Sequence, residues 1–451
     1  MKAENRKILA ENGKLRERIA QLESDLDRAT RENKQQAAPF RKPVDRKKPP
    51  EEHKKPGRKP GHEASFRKPP DGDIQRVVDV PLEACPCCRG ELEQRASHEH
   101  FVVDVPRLAP TWTKFVTQSG YCRHCKARRS SRHAEMPSLA VGAAGVSFGP
   151  NLVTLTAVLK TQSGVTFRKV QRFLKEWFRL DVSQAGLQKA LARVESALHP
   201  THEEIARQVR SSRQVHVDET GWWVASESHW AWVAATTACT LYAIRKSRGH
   251  EVAEELIGKD YKGCLHSDFL NSYSPLQCKK SKCVSHLLAH IDKLQRTGRS
   301  AERDARSRFL ENTKRLLQEA IELWHSQSRI CGSVYSSQVE RIQARVDTLL
   351  SRQPRDADNR RLCKRIQKHR EAIFRFLTEP DAVPTNNLAE RELRPLVIAR
   401  KLSGGNRSQR GAERTALLYS VYATLKRQGQ NVTDAVLGAL MGRKILLVNS
   451  S

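Results

Sequence analysis

The periodicity of apolar residues changes along this 451-residue chain, and the change constrains its fold more than any other feature. From Val215, apolar and polar residues alternate in VHVDETGWWVA, HWAWVAATTACTLYAI and KGCLHSDFLNSY, with the helix-like HEVAEELIG between them. Alternation is typical of β-strands. After Cys283, apolar residues recur every third or fourth position for about a hundred residues, which is typical of helices. The pattern predicts a mixed α/β domain, 213–430, with a long all-helical insertion at about 290–380.

The rest of the chain is long enough for further domains, so we expect a multidomain protein. Residues 1–33 have a heptad repeat, which predicts a coiled coil and a homo-oligomer. The heptad positions are Ile8, Asn12, Leu15, Ile19, Leu22, Leu26, Ala29 and Asn33. Residues 148–212 are expected to be helical, either as a helix-turn-helix that binds DNA or as a collar packed on the next domain. Residues 431–451 are expected to form a C-terminal tail.

Residues 34–76 form a linker rich in Pro, Lys and Arg. An extended chain with Arg58 and Lys59, in PGRKPGH, suits a DNA groove. A soluble spacer with no DNA contact explains the same composition equally well.

Two C-x2-C pairs predict a zinc-binding, β-rich domain at 77–135. Cys85 and Cys88 form the first pair, and Cys122 and Cys125 form the second. Four thiolates complete a tetrahedral shell, so the predicted Zn²⁺ is structural. The sequence leaves Cys87 and His124 as alternative ligands.

The charge balance predicts a polyanionic partner. The chain has 80 Lys and Arg against 50 Asp and Glu, with a net charge of +30. Neutralising phosphates releases counterions, which favours a nucleic acid as the partner, although a ribosome-binding or membrane-surface protein would carry the same charge. No apolar stretch approaches the roughly 20 residues that span a bilayer, and the first residues lack a secretory signal. We therefore expect no membrane-spanning segment and a cytoplasmic protein.

Acidic residues follow two of the predicted strands. Asp218 and Glu219 end the first run before a turn expected at Gly221, and Asp268 follows a later run. Because side chains alternate along a strand, Asp218 points with His216 and Glu219 points to the opposite face. Two carboxylates at neighbouring strand ends repel each other unless a cation such as Mg²⁺ lies between them.

A third carboxylate is expected in PTNNLAERELRPLVIARK, where Asn386 or Asn387 can cap a helix. Glu390 lies in the first turn of that helix, on a polar side with Asn387 and Arg394. Glu392 is the competing residue, and helical periodicity alone does not decide between the two.

The order of zinc knuckles, HVDETGW, SDFLNSY, CVSH, helical insertion and NNLAERELRPLVIARK strongly resembles transposases of the insertion-sequence-66 family. The resemblance extends from the coiled coil to about Gln430. It implies a ribonuclease-H-like catalytic domain with a DDE triad of Asp218, Asp268 and Glu390. These acids would hold two Mg²⁺ or Mn²⁺ ions. The one structural Zn²⁺ would be held separately, by the cysteines of the two C-x2-C pairs. It also matches Cys283 and His286 to a C-x2-H signature.

Other residues are assigned supporting roles. Cys283, His286, Asn387 and Arg394 are expected to support the acids, although Cys283 and His286 could form a second zinc site with Cys278 and His290. Basic residues after Glu390 predict a phosphate track or, alternatively, a solvated face. They are Arg391, Arg394, Arg400, Lys401, Arg407, Arg410 and Arg414. The tryptophans in GWW and HWAW fit a core better than base stacking.

The resemblance predicts a DNA transposase. It would bind the terminal inverted repeats of an insertion sequence, cleave the ends by metal-dependent hydrolysis and join the 3′-hydroxyls to target DNA. The resemblance also implies double-stranded DNA, both transposon ends and target, as the partner, with accessory transposition proteins as further candidates and no membrane. It implies a cytoplasmic, nucleoid-associated location in a prokaryote. The alternatives are a catalytically inactive, zinc-containing dimeric DNA-binding protein and a Mg²⁺-dependent nuclease without strand transfer.

Overall fold

The structure is a computed structural model that describes residues 74, 76–81, 87, 89–90, 99, 101–103, 105, 109–133, 135–136, 146–297, 303–351 and 354–448. The chain divides into two units, 1–106 and 107–451, and the strands and helices of the described residues belong to the second. The predicted coiled coil and linker, with Arg58 and Lys59, lie outside the described residues, as do Cys85 and Cys88.

A small antiparallel hairpin comes first in this unit. Strand β1 (Ser119–Cys122) pairs with β2 (Ala127–Ser130), with Cys122 opposite Ala127. The turn between the strands contains Lys126 at a positive φ of 48°. This hairpin therefore brings Cys122 and Cys125 to one tight turn.

A five-stranded mixed sheet forms the centre of the unit, in the order β5-β4-β3-β6-β7. Its strands are β3 (Gln214–Val224), β4 (Glu227–Ala235), β5 (Thr240–Arg245), β6 (Cys264–Ser267) and β7 (Lys279–Lys282). Strands β3, β4 and β5 pair antiparallel, whereas β6 runs parallel to β3 and β7 runs parallel to β6. The mixed α/β class predicted from the sequence is confirmed.

Twelve α-helices surround the sheet or precede it within the described residues. They are α1 (Pro150–Thr161), α2 (Phe167–Phe178), α3 (Gln184–Ser211), α4 (His250–Ile257), α5 (Val284–Thr297), α6 (Arg303–Ser326), α7 (Gly332–Ser351), α8 (Ala357–Lys368), α9 (Arg370–Phe374), α10 (Asn387–Ser403), α11 (Gln409–Arg427) and α12 (Val432–Leu440). Helices α5 to α9 lie between β7 and α10 in sequence, where a helical insertion is predicted.

The alternation of side chains along the strands divides the sheet into two buried faces. Val215 and Val217 of β3 contribute to a core that includes residues of α1, α3, α4, α11 and α12. Trp222 and Val224 point the other way, into a core with α10 and part of α11. Asp218 has the parity of Trp222, so it faces α10, while Glu219 faces the opposite core.

The tryptophans of these strands divide between core and surface. Trp222 and Trp232 are buried, as expected, whereas Trp223 is 49% exposed near the end of β3. The Arg248 guanidinium lies over the ring of Trp230, 4.2 Å from its centroid. Trp223 is therefore the exception to the expectation of core aromatics.

The helical insertion has a hydrophobic core of its own, built from α5 to α9 and the segment up to Ala382. Its two ends meet, because the Val284 N–H donates to the Pro384 carbonyl at 2.8 Å. The chain therefore leaves the sheet after β7 and returns at the start of α10 at nearly the same point.

Two local expectations differ from the structure, and one strand lies where none was expected. Strand β3 continues past Gly221 to Val224, and the turn lies at Ala225 and Ser226, at φ values of 49° and 69°. Two left-handed residues suit a two-residue hairpin, whose twist matches the flanking strands. The expected tail contains α12, whose Val436 is fully buried. The basic sequence KKSK forms β7, which no apolar pattern predicts.

Among the described residues, no helix is long and apolar enough to cross a bilayer.

Candidate active site

The three predicted acids lie on three elements that meet at one end of the sheet. Asp218 is in β3, Asp268 directly follows β6, and Glu390 is in the first turn of α10. In the parallel pairing of β3 and β6, His216 lies opposite His266. Asp218 and Asp268 each follow one of these histidines by two residues, so the register directs both carboxylates to the same face.

Electrostatic repulsion acts on Asp218. Burial, followed by the nearby charges of Glu219, Asp268 and Glu390, raises the pKa of its carboxyl from 3.8 to about 7, against the opposing effect of the Glu219 N–H bonded to Oδ1 at 2.9 Å. The acids from the three elements are thus within electrostatic reach of one another. Several carboxylates this close together are stabilised by a divalent cation such as Mg²⁺, whose preferred ligands are oxygens.

The raised pKa makes the stability of the metal-free protein depend on pH through Asp218. The folded chain holds this proton up to about pH 7, whereas the unfolded chain loses it near pH 4. The folded state therefore loses stability as pH rises between these values. We expect metal-free Asp218→Asn to match the unchanged chain near pH 4 and to exceed it at pH 8, on the order of 2 kcal/mol. Urea unfolding at pH 4, 6 and 8 measures the gap, and a gap that does not widen would contradict the charge repulsion.

The main chain and a buried lysine fix Asp268. Its Oδ1 accepts the Leu270 N–H at 2.8 Å, and its carbonyl accepts from Lys282 Nζ at 2.5 Å. Lys282 is only 1% exposed, and its Nζ also donates to Ser267 Oγ at 2.9 Å. Burial lowers the pKa of Lys282 to about 8, while the Asp268 charge opposes that shift. Strand β7 thus places the buried amine of Lys282 against the backbone of Asp268, the second predicted acid.

Two stacked histidines and a buried amide join the strands to α10. The rings of His216 and His266 are 4.1 Å apart and 11° from parallel. Burial lowers the pKa of His216 to about 4, so it is neutral at physiological pH. Its Nδ1 donates to Asn386 Oδ1 at 3.1 Å, and Asn386 Nδ2 donates to the Val217 carbonyl at 2.8 Å. Asn386 is fully buried at the N-cap of α10. Its hydrogen bonds therefore fix the start of this helix, and with it the position of Glu390 in the first turn.

Cys283 and His286 lie beside Glu390. The ligand atoms of all three residues are within 4.8 Å of one another, and His286 Nδ1 is 3.7 Å from Glu390 Oε1. A hydrogen bond with Cys283 raises the pKa of His286 to about 9, against the effect of burial. Burial raises the pKa of Cys283, but bonds from His286 and from the Asn386 N–H, at 3.2 Å, outweigh it and lower the pKa overall. Cys283 and His286 therefore lie next to Glu390, the predicted third acid.

Glu219 and Glu392 are both paired elsewhere. The Glu219 side chain is 1% exposed, and it accepts from Tyr273 and from Arg248, whose Nη2 is 2.7 Å away. Glu392 Oε1 is 2.5 Å from Arg427 Nη2, and both side chains are less than 15% exposed. The charge of Glu390, in contrast, acts on the Asp218 carboxyl. The rotation of α10 therefore favours Glu390 as the third acid, which periodicity leaves undecided.

The basic residues near α10 divide into two groups. Arg391, Arg394, Lys401, Arg407 and Arg410 are exposed, as is Asn387. Arg400 Nη1 donates to the Gly221 carbonyl and to Thr220 Oγ1, and so holds α10 against β3. Arg414 is buried, with its Nε 2.6 Å from Glu195 Oε2. Only the first group presents its cations to solvent along this surface.

The hairpin turn between β1 and β2 suits a metal-binding pair of cysteines. Hydrogen bonds from Cys125 and the His124 backbone lower the pKa of Cys122 and favour its thiolate. Because Cys85 and Cys88 lie outside the described residues, the four-cysteine zinc site stays a prediction.

Sequence reasoning missed Lys282 and the histidine pair, and it identified Asn386 only as one of two possible helix caps. One signal was present, since both strand acids occur in the pattern His-x-Asp, as HVD at 216–218 and HSD at 266–268. Such a repeat marks equivalent positions on two strands. No comparable signal identifies Lys282, because a lysine in KKSK gives no indication of burial.

Comparisons with known proteins identify a family and a relative of this chain. Residues 145–414 match the family described as "Transposase IS66 family". An uncharacterized protein of Sinorhizobium fredii, y4hP, is 26% identical over 412 residues, which cover 80% of this chain and 71% of the relative.

Proposed function

The chain belongs to the IS66 family of transposases, and from that premise we propose that Asp218, Asp268 and Glu390 form a metal-dependent site that cleaves and joins DNA strands. The proposal depends mainly on one observation. Burial and the charges of Glu219, Asp268 and Glu390 together raise the pKa of Asp218 to about 7, so acids 50 and 172 residues later in the sequence act on this one carboxyl. Groups that repel each other in this way are stable together only when a cation or a proton is shared between them.

The sheet supports this assignment. Three antiparallel strands continue into two parallel ones, with the acids on the central strand β3 and at the end of its parallel neighbour β6. This arrangement is consistent with the ribonuclease-H-like fold that the sequence resemblance implies. Within it, α10 delivers Glu390 to the same end of the sheet.

The donor set fits a hard divalent cation. Asp218, Asp268 and Glu390 offer carboxylate oxygens, which suit Mg²⁺ or Mn²⁺. When bound, two such ions would polarise the scissile phosphate and stabilise charge on the attacking and leaving oxygens. The protein holds Asp268 through Leu270 and Lys282, and it sets the start of α10 through Asn386.

The proposed reaction has two displacements at phosphorus. First, water attacks the phosphodiester at the element's end, the P–O3′ bond breaks, and the departing 3′ oxygen takes a proton. That 3′-hydroxyl then loses its proton and attacks a target phosphodiester, whose own P–O3′ bond breaks and whose departing 3′ oxygen takes up a proton. The exposed basic side chains Arg391, Arg394 and Lys401 extend along α10 from Glu390, in position to bind the backbone phosphates of such a substrate.

A joining assay tests the proposed function. The purified full chain is incubated with a duplex that carries its element's terminal inverted repeat, a target plasmid and Mg²⁺. We expect nicked ends and covalently joined strands, both absent when Mg²⁺ is omitted. Nicking without joined product would indicate a nuclease instead. Binding with neither product would indicate a DNA-binding protein whose acids are structural.

A further inference from the structure

Helices α2 and α3 precede the sheet in sequence, and the proposed active site uses neither of them. The connection between them is fixed at both ends. Arg179 closes α2 in the left-handed region, at φ 56°, and Ser183 Oγ caps α3 by accepting the Gly186 N–H at 3.0 Å. Gln171 Nε2 on α2 donates to the Val182 carbonyl at 2.7 Å. These bonds hold the turn in one conformation.

The two helices share a small core with α1. Val170 and Leu174 of α2 pack with Val182 and Leu187, and all four are buried. Leu152, Leu155 and Leu159 of α1 pack against this cluster from a third side. The result is a short helix, a capped turn and a second helix braced on a third, which is the architecture of helix-turn-helix modules.

The exposed residues of this module are mostly polar or basic, and Trp177 of α2, which is 64% exposed, is an apolar exception. On α3, Gln184, Ala185 and Lys189 are exposed, while Gln188 Oε1 accepts from Arg414 at 3.2 Å and marks the edge that packs on α11. On α2, Arg168 and Lys169 are exposed. Residues 167–193 contain seven Lys and Arg against two acids. The charge suits a polyanion, and the small Ala185 permits close approach of a partner to the helix backbone.

Two of the cations on α2 make surface ion pairs. Arg172 pairs with Glu176 at 2.7 Å, and Lys175 pairs with Asp181 at 2.9 Å, with every partner more than half exposed. Exposed pairs contribute little to stability, so phosphates can replace these carboxylates at small cost.

We infer that the first two turns of α3 enter the major groove of duplex DNA, where Gln184 and Lys189 contact base edges while α2 contacts the phosphates. A glutamine pairs with the N6 and N7 edge of adenine, and a lysine donates to guanine O6 and N7. In helix-turn-helix modules it is the N-terminal part of the second helix that reaches the bases. The inference rests on the proposed function for its partner, DNA, and assigns to this surface the recognition of sequence.

Helix α3 also connects this surface with the sheet. It continues to Ser211 with Pro200 inside it, and its residues Leu198, Ile205 and Val209 are fully buried in the main core. Strand β3, which carries Asp218, begins at Gln214. Base contacts made by Gln184 therefore fix the position of the DNA relative to the domain that cleaves it.

Selection from a randomised duplex pool tests the inference with the full chain in buffer free of Mg²⁺ and chelators. The unchanged chain is expected to enrich a sequence motif. Gln184→Ala should lose the preference at one or two adjacent positions of that motif. Gln184→Ala and Lys189→Ala should each weaken binding of the enriched duplex about tenfold. Binding of an unrelated duplex should change little for Gln184→Ala, because phosphate contacts remain.

Arg207→Ala is the matched control, since Arg207 is an exposed cation on the same helix, beyond the proposed surface. It should leave both the motif and the affinity unchanged. The inference is overturned by a Gln184→Ala chain that enriches the same motif with the same affinity, and equally by an unchanged chain that enriches none.

The Asp218→Asn chain separates this inference from the catalytic proposal. A motif that depends on Gln184 and is enriched by both chains supports the inference even where no joined product forms. Joining that is unaffected by Gln184→Ala and Lys189→Ala supports the catalytic proposal and overturns the inference.

Discussion

Replacing Asp218 with Asn is expected to reduce Mg²⁺-dependent strand cleavage by at least about a thousandfold. The change removes a carboxylate that lies on the central strand and faces α10, and cation-mediated stabilisation of the transition state supplies several kcal/mol, at about 1.36 kcal/mol per tenfold in rate. Single-turnover cleavage of an end duplex, with product resolved on a denaturing gel, measures the loss.

The fold and DNA binding of this variant should be retained, because the substitution removes a charge that repels its neighbours. Asp260→Asn is a suitable control, since Asp260 is exposed between α4 and β6 and should leave the rate unchanged. Cleavage by Asp218→Asn at an undiminished rate would exclude Asp218 from the reaction.

Glu390→Gln is expected to affect cleavage and Glu392→Gln the stability of the fold, although the two residues are only two positions apart on α10. Glu390→Gln should abolish cleavage and leave the free energy of unfolding unchanged or slightly increased. Glu392→Gln should lower the free energy of unfolding by about 3 kcal/mol, because it leaves Arg427, which is 12% exposed, without its counter-charge.

Urea unfolding and the cleavage assay, applied to both variants under the same conditions, separate the two roles. Glu392→Gln should retain cleavage as long as it stays folded. Loss of cleavage in folded Glu392→Gln, together with normal cleavage in Glu390→Gln, would reverse the assignment of the third acid.

Sequence patterns predict the sheet and the insertion well, for physical reasons that particular residues show. Val215 and Val217 are buried on one side of β3 and Trp222 on the other, so the period of two is visible. The insertion buries residues such as Leu310 and Val346 in its own core, which produces the helical period. Local burial on one face is what a pattern records.

What patterns did not predict depends on contacts between distant segments. The proposed choice of Glu390 over Glu392 depends on the rotation of α10, and Asn386 at the start of that helix binds the backbone of β3 at Val217, 169 residues earlier. Lys282 is buried because Ser267 and the Asp268 carbonyl accept its hydrogen bonds. These contacts do not change the spacing of apolar residues along the chain. The rotation of α10 and the burial of Lys282 therefore cannot be predicted from the local sequence.

The bond between Val284 and Pro384 has a consequence for how this protein can vary. The segment between these two residues has its own apolar interior, yet it is bonded to the sheet as well. Arg375 donates to the Lys280 carbonyl of the edge strand β7, and Lys279 of the same strand pairs with Glu379. Replacing the insertion is therefore expected to uncover the outer edge of β7, the strand whose Lys282 holds the Asp268 carbonyl.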